Sequence, residues 1–298
     1  MNYLAPTTVE EAAAMLASTP AAKVFAGATD VIPQLRGGRP EPEALVDLKK
    51  IDRLVSITDD GDHWTIGAAT PTSRLTEHVE LRQQLPGLVE AVGLIGSDQV
   101  QNRSSLGGNL CNASPAADSV PAMIVNGARA VIAGPAGTRT VLVEEVPTGP
   151  GQTSLQSGEF LVEIEVDKPP ANTGDAYLRL TPRTEMDIAV VGVGARITLD
   201  DNGTVTAATV ALGAVAPTAV RVPDAEAALV GSQLDDDTMA AVAAAASAAC
   251  NPIDDKRGTI GYRQQVAGVL ARRAVTAAAQ RAAGNPTTSD GPAHGGQR

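Results

Sequence analysis

Val100-Gln101-Asn102-Arg103-Ser104-Ser105-Leu106-Gly107-Gly108-Asn109-Leu110-Cys111-Asn112-Ala113-Ser114-Pro115-Ala116-Ala117-Asp118-Ser119 is the most distinctive stretch of the chain. It is rich in small and amide residues and follows neither a helical nor an alternating period. The pattern predicts a long loop, and a loop of this length is usually either functional or disordered. The apolar run behind it, Val120-Pro121-Ala122-Met123-Ile124-Val125, favours function. Gly107 and Gly108 permit positive φ and a close backbone approach to a ligand. Asn109 and Asn112 offer amide donors. Asp118 is the lone carboxylate of the stretch. Two readings are open for it: an acceptor for vicinal hydroxyls of a sugar or ribityl chain, or a cap for a helix beginning near Pro121.

Upstream, Gly27-Ala28-Thr29-Asp30 follows the short apolar strand predicted over 22–26 and precedes a turn or two of helix over 31–36. Small residues between a strand and a helix let backbone N–H groups approach a phosphate, and Thr29 adds a hydroxyl. A plain tight turn accounts for the same residues, and they match neither the dinucleotide fingerprint nor the P-loop. The two glycine turns lie 107 − 27 = 80 residues apart. Together with a hydroxyl-binding acid, they suggest a dinucleotide held between two subdomains.

Further out, Thr8 and Glu11 have capping-box spacing and predict a helix to about residue 18. Strands are expected over 44–48, 64–68, 130–133, 140–143 and 160–166, with mainly helix over 72–95 interrupted at Pro86. Lys168-Pro169-Pro170 marks a boundary. Beyond it come strands over 175–180 and 188–199, an Asn202-Gly203 hairpin turn and a returning strand over 204–212. Helices over 238–250, with Asp235-Asp236-Asp237 at its start, and 259–283, ended by Gly284, close the unit. The expected organisation is 1–170, in subdomains of about 1–55 and 56–170, then 171–284, then a disordered tail over 285–298.

Composition removes whole classes of function. Lys and Arg number 23 against 34 Asp and Glu, a net charge of −11, so the chain lacks the basic excess that nucleic acid calls for. Aromatics at 2% leave little material for base stacking. Cys111 and Cys250 cannot make a disulfide framework or hold an iron–sulfur cluster alone. His63, His78 and His294 lack metal-ligand spacing, and no catalytic triad or carboxylate pair is evident. The start lacks a basic and apolar leader. The longest uncharged stretch, 202–220, contains Gly203 and Pro217 and is expected to form strands, not an integral membrane segment. A cytoplasmic location is the resulting expectation.

The segment 25–30, the segment 102–121 and Tyr177-Leu178-Arg179-Leu180-Thr181-Pro182-Arg183-Thr184-Glu185-Met186-Asp187-Ile188-Ala189 occur in the order seen in a known family. The chain resembles the FAD-binding medium subunit of bacterial molybdenum hydroxylases, a family that includes carbon monoxide dehydrogenase, xanthine dehydrogenases and N-heterocycle dehydrogenases. The resemblance spans essentially 1–284. It implies an α+β fold: a two-subdomain FAD-binding domain of the vanillyl-alcohol-oxidase type, then a three-stranded antiparallel sheet with helices.

Carried over by residue, the resemblance places Val24, Phe25, Ala26, Gly27, Ala28, Thr29, Asp30 and Val31 in a first pyrophosphate loop. Ser105, Leu106, Gly107, Gly108 and Asn109 would form a second. Asp118 would bind a cofactor hydroxyl, Leu161 would lie on the flavin, and Arg179, Asp187 and Ile188 would sit near its pyrimidine end. Ala28 stands where the family usually has a second glycine; its methyl is tolerable at negative φ and crowds a phosphate otherwise. Gln101 stands where a basic residue is common, with Arg103 able to compensate. The implied activity is electron transfer from an iron–sulfur subunit through FAD to an external acceptor. The implied partners are a large molybdopterin-binding subunit and a small 2Fe–2S subunit, in a dimer of heterotrimers. A stand-alone FAD oxidase or dehydrogenase of the same fold, and a non-redox nucleotide-binding assembly module, are the rival readings. Bound oxidised flavin, which is yellow, separates the last from the others.

Overall fold

Thr8 starts the first helix, Val9–Ser18, as its cap: its hydroxyl accepts from the Glu11 N–H at 3.1 Å, while the Glu11 carboxylate, which the expected box would set on the Thr8 N–H, takes its hydrogen bonds from the Thr7 N–H and hydroxyl. The computed structural model describes residues 1–19, 21–183 and 186–284. The tail expected over 285–298 lies outside the described residues. The first helix turns Ala12 and Leu16 inward, toward a three-stranded parallel sheet. Ala44–Asp47 is its middle strand, between Asn2–Leu4 and Lys23–Phe25. Leu54, Phe160 and Val162 complete this core.

The second sheet is antiparallel, in the order Ile57–Asp59, His63–Gly67, Phe160–Asp167, Arg129–Gly134, Gly137–Leu142. The register slips between Leu161 and Glu163. Leu161 belongs to the second core and Val162 to the first, so the central strand ties both together. The helical stretch expected over 72–95 is three helices, Thr72–Glu77, Val79–Gln84 and Pro86–Gly93, with breaks at His78 and before Pro86. Their Leu75, Leu81 and Leu88 fill the second core.

The third sheet runs Thr173–Leu180, Val191–Leu199, Val205–Gly213, Val220–Arg221, all antiparallel. Its last strand, two residues long, adds a fourth to the three expected. Pro223–Leu229, Asp236–Ala248 and Ile260–Ala282 are its helices. Asp235 caps the second of these, accepting from the Thr238 N–H at 2.8 Å, and Gly284 follows the third at φ +76°.

The segment 100–119 is not the long loop that its composition predicts. Short helices break it up: Asp98–Gln101, then Leu106–Cys111, then the start of Ser119–Val125. Leu106 and Leu110, four apart and fully buried, anchor the middle helix. The glycines between them hide that period.

A buried acid docks the third sheet onto the second core. Asp175 Oδ1 accepts from the Gly87 N–H at 2.9 Å, and Oδ2 from the Leu88 N–H at 3.1 Å and Asn126 Nδ2 at 2.8 Å. It thereby caps Pro86–Gly93 from 88 residues away, and burial pushes its carboxyl above the usual range. Asp175→Ala would strand three buried donors. We expect a loss of about 3 kcal/mol in urea unfolding, with part recovered in Asp175→Asn, which keeps an acceptor. Equal stability of Asp175→Ala and wild type would refute this role.

Candidate functional site

The first loop leaves Phe25, whose register partner is Asp47. Lys49 Nζ donates to Ala26 O at 2.7 Å and to Asp47 Oδ1 at 2.6 Å, and lies 4.3 Å from the Phe25 ring centroid. Tyr3 donates to the other Asp47 oxygen at 2.8 Å. These contacts hold the loop from beneath. Ala28 takes φ +61°, the left-handed conformation that a second glycine would adopt freely. Its carbonyl accepts from the Ile32 N–H at 3.1 Å. Among the described residues no acceptor meets the N–H groups of 28–31. A left-handed residue followed closely by the right-handed Asp30 makes a concave run of amides suited to an anion.

The positive φ at Ala28 costs on the order of 1 kcal/mol. Ala28→Gly is therefore expected to stabilise the chain by up to about 1 kcal/mol, after the gain in unfolded-chain entropy is subtracted. Thermal melts of the two chains compare them directly, and a lowered melting temperature would contradict the assignment.

The second segment crosses the first at its glycine. A Cβ built on Gly27 would lie 1.7 Å from Arg103 O. Next to the crossing, Gln34 Nε2 donates to Asn112 Oδ1 at 2.9 Å and Asn112 Nδ2 to Asp30 Oδ1 at 3.2 Å. Asp30 thus ties the two segments together and makes no side-chain cap on Val31–Arg36. Gln101 is buried, with Nε2 on Gly93 O at 2.8 Å, and so faces away from any ligand.

The second glycine turn differs from expectation in its donors. The Gly107 N–H donates to Ala68 O at 3.1 Å, the Gly108 N–H to Ser105 Oγ at 3.1 Å, and the Asn109 N–H to Ser105 O at 2.9 Å. The amides expected to meet a phosphate are taken up by the protein. Glycine is required at 107 by packing, since a Cβ there would lie 2.5 Å from Ala68 O. Asn109 Oδ1 accepts from Ser119 Oγ at 2.6 Å and from the Ser119 N–H at 3.4 Å. Asn109, not Asp118, is therefore the side chain that caps Ser119–Val125.

That leaves Asp118 for another task. Its Oδ1 accepts from Tyr177 OH at 2.8 Å and its Oδ2 from Arg179 Nη1 at 2.7 Å. All three side chains are buried. Burial pushes the Asp118 carboxyl up to about 6, against the pull of Arg179 and Tyr177. Tyr177 OH fits because residue 192 has no side chain: a Cβ there would stand 2.3 Å from it. The cap alternative for Asp118 falls, and its free lone pairs remain open to a hydroxyl.

The structure thus brings the loop 24–31 against the segment 103–112, and Asp118 against Tyr177 and Arg179. Leu161 is buried in the second core with Leu106 and Leu110. The Asp187 side chain is largely covered, one carboxylate oxygen accepting from the Ile188 N–H at 2.8 Å and the other 3.5 Å from Arg183 Nε. Ile188 is half exposed. Among the described residues no hydrogen bond or ion pair joins Asp187 or Ile188 to the two loops. The sequence does not single out Gln34, Asp47 or Lys49, and offers Asn112 only as a donor. Lys49 lies 23 residues from the carbonyl it holds, so no local pattern could reveal it. The unpaired amides over 28–31, the Thr29 hydroxyl and the carboxylate and amide groups beside them fit the pyrophosphate and hydroxyls of FAD.

Comparison with known proteins identifies the family of the chain. Residues 1–169 match the family model described as the FAD binding domain in molybdopterin dehydrogenase, and residues 176–278 the CO dehydrogenase flavoprotein C-terminal domain. The carbon monoxide dehydrogenase medium chain of Hydrogenophaga pseudoflava is 35% identical over 283 residues, which covers 95% of this chain and 98% of that one. The xanthine dehydrogenase FAD-binding subunit of Escherichia coli O157:H7 is 31% identical over 286 residues, covering 95% and 97%. Among solved structures, a carbon monoxide dehydrogenase from H. pseudoflava superposes with a TM-score of 0.90 at 36% identity, covering 94% of this chain and 98% of that one. Quinoline 2-oxidoreductase from Pseudomonas putida 86 does so with 0.88 at 30% identity, covering 95% and 98%.

Proposed function

The chain belongs to the family of FAD-binding subunits of molybdopterin dehydrogenases, and from that membership we propose that it carries FAD as the electron-transfer subunit of a heteromeric molybdenum hydroxylase. The observation that carries the reading is the crossing of Gly27 on Arg103 beside a run of unpaired amides. The amides of 28–31 would hold the pyrophosphate, and Asn112 keeps the two segments in register. Asp118 would accept from a hydroxyl while it fixes Tyr177 and Arg179. FAD supplies the exchange of electrons, and the protein supplies binding, orientation and electrostatics.

Burial pushes the Cys111 thiol up to about 12 and the Cys250 thiol to about 11, so neither is a ready redox thiolate. Two cysteines also fall short of a cluster. Electrons would therefore arrive from a small 2Fe–2S subunit, fed by a large molybdopterin-binding subunit, and leave to an external acceptor. A dimer of heterotrimers in the cytoplasm completes the proposal. Among the described residues no helix is long and apolar enough to cross a membrane.

Denaturing the native complex and chromatographing the released chromophore tests the assignment. One FAD for each copy of this chain is the expected result. Recovery of FMN, or of no flavin, would overturn it.

A further inference from the structure

Beyond the flavin site, the domain junction holds a second cavity of about 370 Å³. Ile124, Val125 and Pro170 wall it on one side, and Arg196, Thr209 and Arg221 face it from the third sheet. It lies at the far end of Ser119–Val125 from Asp118, a helix of 7 residues that spans about 10 Å.

Arg196 is the anomaly. The register sets it opposite Asp175 on one neighbouring strand and Thr209 on the other. The Asp175 carboxylate is occupied by the Gly87 and Leu88 amides and by Asn126, and it makes no ion pair with Arg196. Among the described residues nothing accepts from the Arg196 guanidinium, which is half-buried, and this burial pulls its pKa down. Its planar fork of donors has no protein acceptor and stays open to water or to a ligand entering the cavity. Arg221 stands beside it. Its Nε and Nη2 grip the two Glu226 oxygens at 2.8 and 2.9 Å, which leaves Nη1 outside that fork.

We propose that this cavity is a carboxylate-binding site, with Arg196 as the principal ligand and Arg221 and Thr209 beside it. A guanidinium fork matches the planar geometry of a carboxylate, and the aliphatic wall suits a short methylene stem. The carboxylate comes from a small aliphatic acid or from an Asp or Glu side chain of a partner subunit. The site needs no flavin, so its test stands apart from the function proposed above.

The test is calorimetric titration of the full chain with acetate, butyrate and succinate, repeated on Arg196→Met and on the exposed control Arg272→Met. We expect saturable binding to wild type and to the control, weakened at least about tenfold in Arg196→Met, the minimum that one charge-assisted hydrogen bond is worth. Binding to the assembled complex as well identifies a free acid as the ligand. Binding to the chain alone, blocked in the complex, identifies a partner's side chain. No response from the wild-type chain, or equal binding by Arg196→Met, overturns the proposal. The unfolding temperature adds a check that does not depend on finding the ligand. Without ligand, Arg196→Met should be at least as stable as wild type, because it removes an unpaired charge and keeps the stem. A lower value would show that Arg196 has a structural partner in the protein and would likewise overturn the site.

Discussion

Asp118→Ala is expected to cost about 3–5 kcal/mol of unfolding free energy in the flavin-free chain, because it leaves the Arg179 guanidinium buried without its charge partner. The Tyr177 hydroxyl loses its acceptor in the same step. The size separates the possible roles. A helix cap is worth ~1 kcal/mol, and here Asn109 already provides it. A pure ligand contact would leave the flavin-free chain unchanged and weaken FAD by roughly 10- to 150-fold, since its hydrogen bond is worth ~1.5–3 kcal/mol. The proposed site predicts both effects together, because Asp118 pairs with the buried Arg179 and, as proposed, also accepts from a cofactor hydroxyl. Arg179→Met should rescue much of the stability lost in Asp118→Ala, since the double variant strands no charge. Urea unfolding of the four chains closes that cycle. A single-variant loss of only about 1 kcal/mol would reduce Asp118 to a minor contact.

What the sequence reveals about this molecule is what is local. The Thr8 cap, the Asn202-Gly203 turn and the stop at Gly284 each depend on residues within one turn, and each is found where the spacing puts it, whereas the helix capped by Asp235 begins at Asp236, two residues before the expected 238. The stretch 100–119 departs from its predicted shape in its short helices. Gly107 and Gly108 lower helix propensity enough to mask the Leu106–Leu110 pair, and only tertiary packing restores that helix. Asp118 and Asn109 show the limit more sharply. Asp118 directly precedes a helix and looks like its cap, yet it turns to a tyrosine and an arginine 59 and 61 residues away, and an amide 10 residues back takes over the cap. Spacing within one element cannot encode such an exchange. The choice is made by the third sheet, where glycines at 192 and 194 admit Tyr177 OH and the Pro121 backbone.

Gly27→Val is expected to abolish FAD binding. Its Cβ would stand 1.7 Å from Arg103 O and 2.3 Å from Arg103 C, both backbone atoms of the crossing segment. No rotamer relieves a clash made by Cβ itself, so the two segments must move apart by more than an ångström. Overpacking of this kind costs typically 1–3 kcal/mol in stability, and contact with backbone puts it at the upper end or beyond. The ligand effect should be larger. Separating the segments breaks the Gln34–Asn112–Asp30 link and misaligns the amides of 28–31 with whatever faces them. Loss of two charge-assisted hydrogen bonds to phosphate, at ~1.5 kcal/mol or more each, weakens FAD at least about 100-fold. Gly108→Val separates this crossing from the second glycine turn. A Cβ there meets only Ser105 Oγ, at 3.1 Å, and its amide already has a protein acceptor. Flavin content measured on both purified variants should therefore fall far more at 27 than at 108. If Gly108→Val loses its flavin and Gly27→Val keeps it, the second turn is the cradle and the first is only a bend in the chain.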